Sequence, residues 1–227
     1  MRSGSKLAAL GAAALLVMGA APAGMGWTSK VGTSANGQPL LGNPASDVIL
    51  TEYVSYTCRD CYTFALDGDA VLKLAYVPSG RLAREVQLLG DSPVELAAAM
   101  LAHCGPPGRF FVRHTALLYS QRKWLPMLTR ATGVQRGRWS QPGLGNRNRA
   151  IAGDMGFYAI MASTGLDRLT VDRCLADQAL ADRIARDTTA AHDSGVVAAP
   201  SFAINGKLLN NTTTWASLRP QLDESLK

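Results

Sequence analysis

Cysteine and histidine are scarce in this chain, and their scarcity narrows the metal chemistry it can support. There are four cysteines and three histidines among 227 residues. A structural zinc site needs four ligands, which usually come as two close pairs. Cys58 and Cys61 form one such pair, but the sequence has neither a second Cys-Xaa-Xaa-Cys nor a compact histidine pair. We therefore expect no metal site, with half of a zinc site as the minor alternative.

Long apolar runs are also missing, apart from one near the start. Residues 7–18 are uncharged and largely apolar, follow Arg2 and Lys6, and precede small residues with an Ala-Xaa-Ala pattern that ends at Ala23. About a dozen apolar residues are too few for a comfortable membrane span. Residues 1–23 are therefore predicted to be a cleavable secretory signal, with an uncleaved anchor as the alternative. No cysteine follows the small residues, which argues against a lipoprotein.

Charge is modest and gives no sign of a nucleic-acid partner. The formal net charge is +6, and loss of residues 1–23 would leave +4 because only Arg2 and Lys6 are charged there. The densest basic stretch, residues 136–149, lacks the interleaved aromatic residues of a single-strand binding groove. Gly143 and Gly145 do not make a dinucleotide fingerprint, because no strand precedes them and the third glycine is absent.

The central feature of the sequence is the Cys58-Arg59-Asp60-Cys61 motif. It follows an apolar run, Val48–Val54, that is typical of a buried strand, and it precedes a predicted helix. Thiols at i and i+3 on the first turn of a helix lie on one face and can form a disulfide. The helix N-terminus lowers the pKa of the first thiol from about 8.5 to roughly 3.5–7.5. Cys58 is therefore the predicted nucleophile, and Cys61 the resolving thiol.

The two residues between the cysteines should act in opposite directions. Arg59 should favour a thiolate at Cys58, and Asp60 should oppose it, so both are candidate tuning residues for the redox potential. A purely structural disulfide is a weaker interpretation of the motif, because so short a loop removes little entropy from the unfolded chain.

The rest of the chain shows a recognisable order of elements. Residues 24–46 are predicted to be an arm or one short edge strand, with the core beginning near Asp47. After the first helix, a turn is expected at Asp67 and Gly68. The further predicted elements are a helix over 70–76, a strand over 82–89, a helix opened by the Ser92 to Glu95 capping box, a helix over 109–119, a loop over 133–145, and helices over 149–163, 170–174 (capped by Thr170) and 178–192.

A second informative stretch covers residues 195–209. It is predicted to be a strand entered through Pro200, a turn at Asn205-Gly206, and a return strand. A proline that opens a strand after a tight apolar loop is a candidate cis peptide. A final helix is expected after Thr212 to Thr214.

Together these stretches resemble the thioredoxin superfamily, and more specifically the exported DsbA-like thiol:disulfide oxidoreductases. The resemblance rests on Glu52-Tyr-Val-Ser-Tyr-Thr-Cys58-Arg-Asp-Cys61 and on Val197-Ala-Ala-Pro200-Ser-Phe-Ala-Ile-Asn-Gly206, and it extends over roughly residues 37–227. It implies an α/β thioredoxin fold, residues 47–89 and 195–227, interrupted by a helical insertion at 90–194, with residues 24–46 as an N-terminal arm.

The resemblance also implies roles for individual residues. Pro200 should be cis and face the cysteines, and the Ala199 backbone should hold an extended substrate segment beside Cys58. Arg59-Asp60 is not the Pro-His of the best-known oxidant, and Ala199 replaces a larger or hydroxyl-bearing residue. Cys104 and Cys174 fall in the insertion and, in an exported protein, should form a structural disulfide; the alternative is two buried free thiols.

The expected function is disulfide formation or exchange in other exported proteins, without a dissociable cofactor. The expected partners are cysteine-containing exported proteins and a membrane protein that re-oxidises the pair; the protein itself should be a monomer located in the periplasm or secreted. Two alternatives stay open. One is a reductase or isomerase of the same fold, and the other is a non-enzymatic module that binds metal or peptide.

Overall fold

The computed structural model describes residues 26–227 and shows a mixed six-stranded sheet. The predicted signal at residues 1–23 therefore lies outside the described residues. In chain order the strands are β1 (Val31–Thr33), β2 (Pro39–Leu41), β3 (Val48–Val54), β4 (Leu82–Leu88), β5 (Ser201–Ile204) and β6 (Lys207–Leu208). Their order across the sheet is β1-β2-β4-β3-β5-β6.

The helices divide between the sheet and a large insertion. They are α1 (Arg59–Val71), α2 (Pro93–His103), α3 (Phe110–Tyr119), α4 (Gln121–Thr129), α5 (Gly133–Trp139), α6 (Leu144–Asp154), α7 (Phe157–Ser163), α8 (Arg168–Leu175), α9 (Gln178–Asp193) and α10 (Trp215–Ser225). The insertion comprises α2 to α9 between β4 and β5. No helix among residues 26–227 is both long and apolar enough to cross a lipid bilayer.

The centre of the sheet is the parallel pair β3 and β4. These strands are aligned from Val48 opposite Leu82 to Val54 opposite Leu88, and α1 connects them. Strand β5 runs antiparallel along the other side of β3, with Tyr53 opposite Ser201. The cysteine motif therefore follows the end of β3, one of the two central strands, beside the start of β5.

The segment before β3, which is predicted to be an arm or one short edge strand, contributes two strands to the sheet. It forms the hairpin β1–β2, in which Gly37 takes a left-handed conformation with φ of 79°. Leu40 and Leu41 are buried, and β2 pairs with β4 through Leu40 and Glu85. Burial of these apolar residues against β4 explains the second strand.

The turn predicted at Asp67 and Gly68 is wrong, because α1 continues through both residues to Val71 and then into a π-helical turn, Leu72–Tyr76. A β-carbon at residue 68 would lie 3.1 Å from Phe64 and from Trp215. The glycine therefore allows the close approach of α10 to α1 instead of ending the helix.

Three predictions within the insertion are also corrected. The predicted loop over 133–145 contains α5, which begins at a capping box between Thr132 and Gln135. The predicted helix over 149–163 is two helices, separated at Gly156 with φ of 71°. Helix α8 is capped by Asp167, not by Thr170, which instead donates its backbone N–H to the Asp167 carboxylate at 2.8 Å.

Candidate active site

The cysteine pair lies where β3 passes into α1. Cys58 is the N-cap of α1, and its Sγ accepts a hydrogen bond from the Cys61 backbone N–H at 2.9 Å. The two cysteines are joined as a disulfide with their Cα atoms 5.3 Å apart. Cys58 is half-buried, whereas the Cys61 side chain is 0% exposed. A thiol partner can therefore approach Cys58 but not Cys61.

The loop before β5 closes over this pair. The Ala199–Pro200 peptide is cis, as the resemblance implies, and the Ala199 carbonyl oxygen lies 3.1 Å from Cys58 Sγ. Val197, two residues earlier, is 91% exposed. Cys58, Cys61, Ala199 and Pro200 thus come together in one place, with an apolar side chain presented to solvent beside them.

The other predicted site residues occupy two different places. Arg59 and Asp60 are exposed in the first turn of α1, next to Cys58. Cys104 and Cys174 are joined as a second disulfide, with a Cα separation of 5.6 Å, that links the end of α2 to α8 within the insertion. Nowhere in residues 26–227 do three or more potential metal-ligating side chains cluster.

Sequence reasoning missed the role of Glu95. The capping-box pattern predicts that its carboxylate turns back to its own N-cap, and Ser92 does cap α2 by accepting the Glu95 backbone N–H. The carboxylate instead accepts hydrogen bonds from the Ser55 and Thr57 hydroxyls. The insertion therefore holds two of the three residues that lead into Cys58.

A second missed residue is Gln121, in the first turn of α4. Its buried side-chain amide donates to the carbonyl oxygens of Tyr56 at 2.8 Å and of Cys58 at 2.7 Å. Nothing local in the sequence marks a glutamine for this role. Together, Glu95 and Gln121 fix both the side chains and the backbone of the segment before α1.

A buried charge cluster joins β3, β4 and α1. The Arg84 guanidinium donates to the Glu52 carboxylate at 2.6 Å and lies 2.7 Å from the Asp69 carboxylate. Burial raises the pKa of Glu52 to about 7, although Arg84 opposes the rise. The position of Glu52 in the sequence, six residues before Cys58, gives no sign of this network.

An open groove lies beside the disulfide, between α1 and α4, with a volume of about 450 Å³. Its walls include Arg59, Tyr62 and Leu66 from α1 and Leu125 from α4. A groove of this size is within the range of about 300–1,000 Å³ that accommodates sizeable ligands. It offers room for part of a partner molecule next to Cys58.

A disulfide at the N-terminus of the helix after a central strand, opposite a cis-proline loop, defines the class of thiol–disulfide proteins built on an α/β sheet. The family model described as thioredoxin matches residues 34–224. The chain belongs to the thioredoxin family. The predicted thioredoxin fold with a helical insertion is thereby confirmed.

Known relatives agree with this family. A crystal structure of protein-disulfide isomerase from Novosphingobium aromaticivorans is 43% identical and superposes with a TM-score of 0.78, and the match covers 83% of this chain and 96% of that one. The structure of Wolbachia pipientis alpha-DsbA1 is 22% identical, with a TM-score of 0.61 and coverage of 82% and 89%, and supports the fold alone.

A curated relative matches over a shorter stretch. A Rickettsia typhi protein that is provisionally named a protein-disulfide oxidoreductase is 34% identical over 90 residues. These residues are 39% of this chain and 33% of that protein, so the match spans about a third of the relative's length.

Proposed function

We propose that this protein is an exported thiol:disulfide oxidoreductase that transfers its Cys58–Cys61 disulfide to cysteine pairs in other exported proteins. The observation that carries the proposal is a half-buried Cys58 in a disulfide with a fully buried Cys61, 3.1 Å from the carbonyl oxygen before the cis proline. The names of the relatives point to the same chemistry.

The reaction is two successive thiolate displacements. A substrate thiolate attacks Cys58 Sγ, which forms a mixed disulfide and releases Cys61 as the leaving thiolate. The second substrate thiolate then attacks the substrate sulfur of the mixed disulfide and releases Cys58. Two electrons pass from the substrate to the protein, and the N-cap position of Cys58 favours its release as a thiolate.

The surroundings of Cys58 give each candidate residue a part in this reaction. The Ala199 backbone and Pro200 would hold an extended substrate segment beside Cys58. Arg59 and Asp60 would tune the potential through their opposite charges. The protein would act as a monomer, and a separate membrane protein would take the two electrons and restore the disulfide.

The reduction potential of the Cys58–Cys61 pair tests the direction of electron flow. The protein is equilibrated in glutathione buffers, and the Cys104→Ala/Cys174→Ala variant is the control for the other two thiols. A potential well above about −200 mV is expected for a disulfide donor. A value near −270 mV or below would reverse the proposed direction and make the protein a reductase.

Isomerisation is a second candidate, because the 43% identical structure is titled a protein-disulfide isomerase. An assay on a reduced and on a scrambled multi-disulfide substrate separates the two functions. We expect stoichiometric oxidation of the reduced substrate by the oxidised protein. Faster recovery of the native form from the scrambled substrate, by the reduced protein, would favour the isomerase.

A further inference from the structure

A small cavity away from the cysteine pair is surrounded by basic groups. It has a volume of about 160 Å³ and lies between the β1–β2 hairpin and helices α2, α3 and α9. Its lining includes His103, Arg113 and Arg183, together with Gly37 of the hairpin and Phe110. The proposed disulfide exchange uses none of these residues.

The three basic side chains that line the cavity make few hydrogen bonds within the chain. Arg113 is 2% exposed and donates to the carbonyl oxygens of Ala102 at 3.0 Å and Pro106 at 2.9 Å. Arg183 lies 3.2 Å from His103 Nδ1. Because a guanidinium can only donate, the imidazole N–H must be on Nε2. Among residues 26–227, the hydrogen bonds of His103 and Arg113 involve His103 Nδ1 and Arg113 Nε and Nη2, so His103 Nε2 and Arg113 Nη1 are available to a ligand.

The same three residues have no negative counter-charge. Across residues 26–227, none of the ion pairs involves His103, Arg113 or Arg183. Asp187, one turn beyond Arg183 on α9, instead accepts a hydrogen bond from Gln38 at 2.9 Å. The first 25 residues contain no aspartate or glutamate that could supply the charge.

The electrostatic consequence is visible at His103. Burial, together with the positive charges of the nearby Arg183 and Arg113, lowers the pKa of His103 to about 3. A buried cation without a carboxylate partner is costly, because desolvation is not offset. An anion in the cavity would provide that offset.

We propose that this cavity binds a small oxyanion of the phosphate and sulfate class, held by the Arg183 and Arg113 guanidinium groups and the His103 Nε2–H. Guanidinium N–H groups match the oxygens of such anions in geometry and charge. The volume lies well below the roughly 300–1,000 Å³ of pockets for larger organic ligands, which argues against a nucleotide.

The bound anion would connect parts of the fold that are distant in sequence. Arg183 also donates to the Gly37 carbonyl oxygen of the hairpin at 3.4 Å. Arg113 holds the end of α2 through Ala102 and the following segment through Pro106. Occupancy of the cavity therefore ties the edge hairpin to three helices of the insertion. Anion binding should stabilise the folded state by an amount that rises with the logarithm of anion concentration above the dissociation constant.

Titration of the full-length protein with sodium phosphate and sodium sulfate tests the proposal. Ionic strength is held constant with sodium chloride, and the imidazole ¹H–¹⁵N resonances and the Tm are followed. We expect saturable shifts of the His103 resonances, little change at His192 and His114, and a Tm above that in chloride alone. A linear response without saturation, or equal shifts at all three histidines, would overturn the proposal.

Paired arginine variants make the test specific. Arg183→Gln should weaken the apparent affinity at least tenfold, because it removes a guanidinium from the cavity. Arg186→Gln, on the same helix but exposed and outside the cavity lining, should change it less than twofold. Equal affinities in wild type and Arg183→Gln would sink the proposal, and unchanged Cys58–Cys61 exchange would show that the variant is folded.

Discussion

At the scale of single residues, the two cysteines of the motif differ in how far solvent and a substrate can reach them. Cys58 is half-buried at the helix N-cap, and Cys61 is fully buried one turn later. The difference arises because Cys58 caps the exposed start of α1, whereas Cys61 lies one turn further along and is buried. The consequence is an ordered reaction in which Cys58 exchanges with the substrate and Cys61 resolves.

Cys61→Ser should therefore trap a covalent complex. Its Cys58 thiolate can attack a disulfide-containing substrate, but no second thiol is present to release it. We expect the mixed disulfide to accumulate on non-reducing gels, and exchange to fall at least 100-fold. Cys58→Ser should lose the same activity without forming the complex. Equal trapping by both variants would contradict the assignment of Cys58 as the nucleophile.

Glu52 should make stability depend on pH. Its pKa is raised from 4.5 to about 7, chiefly by burial. Between those pH values the folded state keeps a proton that the unfolded state has lost, so this residue lowers the free energy of unfolding as pH rises through the window. Below pH 4.5, Glu52 is protonated in both the folded and the unfolded state, and its full contribution to the free energy of unfolding is present.

Comparison with Glu52→Gln isolates this effect. The free energy of unfolding of the wild type, relative to that of the variant, should fall by about 1–3 kcal/mol between pH 4.5 and pH 7.5. Urea denaturation at several pH values measures it, with the exposed Glu224→Gln as the matched control. A difference that stays constant with pH would show that Arg84 keeps Glu52 ionised throughout.

At the scale of elements, the sequence was informative where hydrophobic pattern and turn chemistry agree. Strands β3 and β4 are runs of apolar residues, and Asn205-Gly206 provides the two positive φ angles of a tight hairpin, 49° and 79°. Predictions failed at glycines, because a glycine can either end a helix or allow close packing within one. Gly68 lies inside α1 and allows close packing, although a turn is predicted there, whereas Gly156 separates two helices where one is predicted.

Polar contacts between residues far apart in the sequence could not be predicted from the spacing of residues along the chain. Glu95 satisfies a local helix-start pattern, yet its carboxylate binds hydroxyls about forty positions earlier in the chain, at Ser55 and Thr57. Gln121 is one of several glutamines, and its neighbours in the sequence do not indicate that its side chain bonds to the active-site loop. Only the packing of the insertion on the sheet brings these side chains to the loop before Cys58.

Gln121→Met should loosen the link between α4 and the cysteine loop. The substitution keeps the length of the side chain but leaves the Tyr56 and Cys58 carbonyl oxygens without their donor. Each buried acceptor left unpaired should cost about 1–3 kcal/mol. Urea denaturation measures the loss, and the rate of thiol exchange should change with it.

Gln178→Met is the matched control for this variant, because Gln178 is exposed in α9 and bonds only to Asp182 among the described residues. It should alter the free energy of unfolding by less than about 0.5 kcal/mol. If Gln121→Met were equally mild, water would be replacing the lost donor, and the proposed coupling between α4 and the active-site loop would fail.

At the scale of the whole molecule, the insertion shares a hydrophobic core with the sheet. One buried cluster includes Val54 and Val86 of the sheet, Cys61 of α1, and Met100 and Ile151 of the insertion. A second cluster, around Phe64, Phe202 and Leu218, packs α1 and α10 against the sheet. Because the first core is shared, the sheet and the insertion should unfold in one transition.

The Cys104–Cys174 disulfide offers a test of that cooperativity. It closes a loop across a sequence separation of 70 residues, and an entropic model gives a stabilisation of about 4 kcal/mol for a loop of that length. Cys104→Ala/Cys174→Ala should therefore lower the free energy of unfolding by about 3–5 kcal/mol, and raise the urea m-value because the unfolded chain is less compact.

Circular dichroism and tryptophan fluorescence should still report one coincident transition in this double variant. The reason is that the disulfide links α2 to α8 within the insertion, while the shared core holds the insertion to the sheet. If the two probes separated, the insertion would be melting first, and the disulfide rather than the core would be the source of its stability. The Cys58–Cys61 exchange rate, measured below the transition, should stay within twofold of wild type in the cooperative case, because Glu95 and Gln121 would still hold the active-site loop.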